Sequence, residues 1–166
     1  VTFIGGAWLR WFALSALAGI GLGALWWLAA PGGAVYGDVR DYNTWLGRDL
    51  VLGVLAVAGG LASACLLVGA GRRRGAVSTA HFAAVILGAL LGSVLAWRTG
   101  VFAGDLFHVP PANMASPSMV FSLRVPSILL LWPLACAATV FVWTTVNYAI
   151  VPSPQEARAT AGKLEL

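Results

Sequence analysis

The chain holds two histidines and two cysteines, and their positions limit what chemistry they can share. His81 stands at the start of one long apolar run and His108 beyond its far end, on opposite sides of any membrane that run crosses. They cannot close one haem or metal site. Cys65 falls about 15 residues, and Cys136 about nine, from the same end of their respective runs, an offset of roughly 9 Å along a helix axis. A disulfide across that step would need one helix to slide, so both thiols are expected to stay buried and unpaired. No C-x-x-C, H-E-x-x-H, G-x-S-x-G or phosphate-loop pattern occurs. Where proton and ion carriers place ionisable groups, the interiors of these apolar runs carry only Ser15, Ser63, Ser93, Thr139, Thr144, Thr145, Asn147 and Tyr148. Hydrogen bonds between helices account for the most polar cluster, Thr144 to Tyr148. No catalytic residues, cofactor or metal are expected, and an ion-coupled transporter is disfavoured.

Composition decides what positions these side chains. With 60% hydrophobic residues, 10% charged residues and a mean hydropathy of +0.86, the chain is too apolar for a water-soluble domain, where about 25% charge is usual. Disorder fails for the same reason. Nucleic-acid binding fails too, because the basic balance rests on only ten Lys and Arg against six acids. Four uncharged runs, residues 11–30, 50–70, 77–97 and 127–151, each reach the roughly 20 residues a helix needs to cross the hydrocarbon core. At that depth backbone groups must bond within helices or a closed barrel, and the runs lack the alternation of barrel strands. The fold class is therefore all-α: a polytopic membrane protein with four transmembrane helices in residues 1–151. Outer loops fall at 31–49 and 98–126, and residues 152–166 form a cytoplasmic tail expected to be disordered. The first run reads as a retained helix, since Trp26, Trp27 and Pro31 are ill suited to a signal-peptidase site.

Charge sets the orientation. Arg72, Arg73 and Arg74 fill the short turn after the second run and mark it as cytoplasmic, which puts both termini inside and Asp38, Asp41, Asp49 and Asp105 outside. Trp8 and Trp11 at one border, and Trp26, Trp27, Trp45 and Trp97 at the other, fit amphipathic rings at headgroup depth. The expected location is the cell (cytoplasmic) membrane, multi-pass, with membrane lipid all round.

Small residues mark the packing faces: Gly19 and Gly23 in the first helix, Gly60 in the second, Gly88 and Gly92 in the third. Lipid gives helices no hydrophobic reason to associate, so close backbone approach through such stripes holds them together. Packing within one chain is the preferred reading, with a homo-oligomer left open. Pro133 removes a backbone hydrogen bond from the fourth helix and is expected to kink it near the outer leaflet. The second outer loop is long and apolar, and such loops tend to be functional or disordered. Phe107, Phe121, Leu123 and Arg124 are its candidate contacts, with a partner or with the helices below. Arg98 and Arg124 are expected to face the aspartates of the first loop.

The order of features is distinctive: Arg10-Trp11, then Leu25-Trp26-Trp27-Leu28-Ala29-Ala30-Pro31, an acidic loop, Arg72-Arg73-Arg74, Leu95-Ala96-Trp97-Arg98, and Leu123-Arg124 ahead of Trp132-Pro133. Over roughly Arg10 to Val151 this resembles an uncharacterised actinobacterial family of small four-helix integral membrane proteins, classified only as a domain of unknown function. That resemblance implies a membrane location beneath a cell envelope and carries no activity, cofactor or catalytic residue with it. The expected function is that of a non-catalytic accessory or assembly subunit of a larger cell-envelope or respiratory membrane complex, with a protein partner met through the outer loops. The alternative is a small carrier or lipid-handling protein with a cavity under the outer loop.

Overall fold

The computed structural model describes residues 2–35, 44–72, 77–107 and 121–150. Asp38, Asp41, Arg73, Arg74, His108 and the tail 152–166 lie outside that set, as does the middle of the second outer loop. Four α-helices follow one another, α1 (Thr2–Ala29), α2 (Thr44–Arg72), α3 (Thr79–Phe107) and α4 (Leu131–Ile150), the last led in by a 3-10 turn at Pro126–Leu130. All four are long and apolar enough to cross a membrane, and the described residues contain no strand. The protein is a multi-pass, all-α membrane protein. The end bearing Asp49, expected to face outside, is called the outer end below.

The helices overshoot the apolar runs. Hydrocarbon dictates where side chains must be apolar, but it does not dictate where a backbone must stop being helical. From Arg10 to Pro31 is about 30 Å at 1.5 Å per residue, the thickness of a hydrocarbon core, yet α1 begins at Thr2. α2 starts at Thr44 and so takes Arg48 and Asp49 into the helix, and α3 runs on past Arg98 to Phe107. That last extension adds about 14 Å of helix beyond the charged border.

Helices adjacent in sequence are not the closest neighbours. α1 packs along its length on α3, and α2 on α4, each pair running in the same direction. The cause is a stripe of buried small residues on α3 at strict four-residue intervals: Ala84, Gly88, Gly92, Ala96, Gly100 and Gly104. Ser15, Gly19 and Gly23 of α1 lie against it. A Cβ on Gly19 would strike the backbone of Gly92, one on Gly23 the carbonyl of Ala96, and one on Gly88 the Phe12 carbonyl and the Ser15 side chain. The helices therefore meet backbone to backbone, which gives dispersion contact where lipid offers no hydrophobic gain. On α2, Gly60 serves the same end against the Trp132 carbonyl and Ala135 of α4.

Trp132, only 2% exposed, fills the middle of the bundle. Its ring lies against Gly59 and Gly92, and its indole N–H donates to Ser63 Oγ at 3.1 Å, while that hydroxyl donates to the Gly59 carbonyl at 2.7 Å. Pro133 is the third residue of α4, directly after the 3-10 turn. The N–H it lacks falls at the passage from 3-10 to α geometry, seven residues into an unbroken helical stretch. Of the two free thiols, Cys136 is buried and Cys65 lies on the outside of the bundle, so the expected burial holds for one of them.

Candidate functional site: the mouth of the bundle

The outer end is organised by a charged pair that sequence reading placed in a loop. Arg48 and Asp49 are 2% and 1% exposed. A buried charge must find partners, since an unpaired one costs far more than folding can spare. Arg48 finds them through the turn that ends α1. There the Gly33 N–H donates to the Ala30 carbonyl at 2.9 Å, with Pro31 and Gly32 at the centre and Gly32 at φ +78. Proline followed by a glycine at positive φ is the type II pattern, which leaves the Pro31 carbonyl pointing outward. Arg48 Nε donates to that carbonyl at 2.7 Å. Gly32 is required twice over, because a Cβ there would also press on the guanidinium.

Trp26 joins the same knot. It is fully buried, its indole N–H donating to the Arg48 carbonyl at 2.8 Å. Its ring tilts against Phe121 at 4.6 Å, and the Arg48 guanidinium lies 5.3 Å from the centre of that Phe121 ring. Gly100 and Gly104, one turn apart on α3, open the two slots: a Cβ at the first would strike Trp26, and one at the second would press on Phe121. Sequence reading had Trp26 anchored at the lipid headgroups. The small residues facing it make it core instead.

Asp49 ties down the strand of chain that crosses the mouth. Its carboxylate accepts the Val125 N–H at 2.9 Å and the Arg124 N–H at 3.3 Å. Arg124 thus meets this aspartate through its backbone, and its guanidinium lies over Trp45, 5.8 Å from the ring centre. Arg98 lies over its neighbour Trp97 at 4.8 Å. The expected facing of Arg98 and Arg124 towards Asp38 and Asp41 falls on undescribed residues.

The four candidate contacts part company. Phe121 is 5% exposed and Leu123 partly buried in the same cluster, whereas Arg124 is exposed and Phe107 is 64% exposed. Phe107 also leans on Trp27 at 5.0 Å, and the Trp27 indole nitrogen is buried with no hydrogen-bond partner among the described residues. Between the helices beside Trp132 lies a hollow of about 10 Å³, lined by Leu22, Leu52 and Ser93 among others. That is room for about one water molecule. The described residues contain no cluster of His, Cys, Asp or Glu fit to hold a metal.

Arg48 and Asp49 were nonetheless within reach of the sequence. Buried positions on α2 recur at Asp49, Leu52, Ala56, Gly60, Ala64 and Leu67, a three-to-four spacing that continues backwards through the charges without a break. A similar four-residue count carries α3 past Arg98 to Gly100 and Gly104. In the α4 cluster, by contrast, the Thr144 and Thr145 hydroxyls donate to the Phe141 carbonyl and the Asn147 amide to the Trp143 carbonyl. These bonds stay within one helix rather than joining two.

No family model, curated protein or solved structure matches the chain. What stands is the coarser description, a small bundle of four membrane-spanning helices.

Proposed function

We propose that this protein is a non-catalytic accessory or assembly subunit of a larger membrane complex, and that it meets a protein partner at its outer end. The observation that carries this reading is the extension of α3. Past Arg98, where the uncharged run ends, the helix continues for nine residues and presents Phe102, Leu106 and Phe107, 67%, 60% and 64% exposed; with Arg98 at the border these stand beyond the hydrocarbon. Apolar rings held outside the hydrocarbon form a surface that favours a protein neighbour. Arg98 and Asp105 lie on the same stretch beside Phe102, around an open hollow, and supply the polar rim that such contacts usually have. The chain's own packing supports the rest. Helix faces zipped by glycine, with space for about one water in the hollow beside Trp132, favour a fixed scaffold over a carrier that must open around a substrate under the outer loop. The resemblance to an actinobacterial family belongs to this proposal as well, and would set the complex in a cell envelope.

A photo-crosslinking residue placed at position 102 or 106 in cells should yield a discrete protein adduct, whereas the same residue at Leu61, exposed midway along α2, should label lipid. Lipid adducts alone at all three positions would end the partner reading. Phe121 is unsuited to such a test, because its replacement would disturb the fold.

A further inference from the structure

At the inner end, where α1, α2 and α3 diverge, lies a cavity of about 260 Å³ whose walls include Trp11, Leu67, Val77, Ser78 and His81. Its lining is divided. Leu67, 2% exposed, with Val77 and Trp11 forms an apolar wall, while Ser78 and His81 bring a hydroxyl and an imidazole to the rim. His81 is half-buried, edge-on to Trp11 at 6.4 Å, and has no hydrogen-bonding partner among the described residues. The charge around it has one sign. Arg10 precedes Trp11 and Arg72 follows Gly71 of the cavity wall, whereas both described acids, Asp49 and Asp105, lie towards the far end of the bundle.

We propose that this cavity holds one anionic phospholipid, its phosphate diester bonded by His81 and Ser78 and the start of an acyl chain lying along Trp11, Leu67 and Val77. The depth favours it, because Arg10, Arg72 and His81 all stand at one border of the membrane, where headgroups are the most abundant ligand. The volume suits a headgroup phosphate with its first carbons, the remaining chain running out between the helices into the bilayer. A mixed lining suits an amphiphile better than a free ion, and the described charges at this border, Arg10 and Arg72, are both positive, which favours a negative headgroup over a zwitterionic one.

Native mass spectrometry of the full chain in mild detergent tests this, with dioleoylphosphatidylglycerol and dioleoylphosphatidylcholine offered together. One phosphatidylglycerol should be retained per chain, preferred by roughly tenfold over phosphatidylcholine because the basic border disfavours the choline cation. His81→Leu and Ala70→Phe, which remove the donor and fill the cavity respectively, should each abolish that retention. Ala58→Phe on the exposed face of the same helix should not. Should Ala70→Phe fail to fold, His81→Leu decides alone. Equal retention of both lipids by the unaltered protein, or unchanged retention in His81→Leu, would overturn the proposal. Displacement of the lipid by millimolar inorganic phosphate would overturn it too, by assigning the site to the free anion.

Discussion

The two ends of the bundle are built from the same residue types and use them in opposite ways. At the outer end arginine and tryptophan are interior: Arg48 and Trp26 are buried, bonded to each other through the Arg48 carbonyl and capped by Phe121. At the inner end Arg72 is exposed and lies over Trp143, 4.4 Å from the ring centre, and Trp11 borders an open cavity. A membrane edge therefore does not by itself decide whether an arginine beside a tryptophan is rim or core. The small residues across from it decide. Gly32, Gly100 and Gly104 clear space for the guanidinium, for Trp26 and for Phe121, whereas Gly69 near the inner end has nothing within 4 Å of where a Cβ would sit.

The largest expected effect separates the ends directly. Asp49→Ala leaves the Arg124 and Val125 N–H groups without their carboxylate acceptor, a change that typically costs about 1–3 kcal/mol for each group. In detergent the variant should unfold at a markedly lower denaturant concentration, and residues 121–125 should become open to protease. Asp49→Asn, which keeps an acceptor oxygen but not the charge, should fall between the two. If Asp49→Ala shifts unfolding no more than Arg72→Ala does, water already reaches the mouth and the contrast between the ends is false.

Much of this was legible in the sequence, and what escaped has a physical reason. Four spans and their glycine faces follow from hydropathy and counting. The lateral pairing of α1 with α3 does not, because hydropathy measures burial in lipid and is blind to which helix a stripe meets. Arg48 and Asp49 were assigned to a loop since charge normally ends a span. Their burial depends on the Pro31–Gly32 turn and on the chain from Phe121 to Val125 closing over them, and both lie far away in sequence.

A middle-sized effect sharpens the comparison through glycines. Gly104→Ala puts a methyl against Phe121, where a Cβ would come within 2.7 Å of the Phe121 Cβ. Overpacking of that kind costs about 1–3 kcal/mol. Gly69→Ala adds the same methyl on the open face of α2 and should stabilise by up to about 1 kcal/mol through helix propensity alone. Opposite signs for the two variants in one unfolding assay are the expected result. The same sign in both would mean that glycine is kept for some reason other than the space around it.

The smallest effect concerns Arg72. Its guanidinium faces Trp143 from the last turn of α2, a position that also suits a cation because helix carbonyls end there. Water and headgroups reach an exposed pair, so its attraction is worth only about 0.5–1 kcal/mol. A double-mutant cycle of Arg72→Ala with Trp143→Leu isolates that coupling from whatever each side chain does alone. The expected coupling lies in that small range and shrinks further in high salt, as an exposed cation's interactions do. A coupling several times larger and indifferent to salt would show that the inner end is sealed by chain or lipid as the outer end is sealed by Phe121. The two ends would then differ in what covers them and not in whether they are covered.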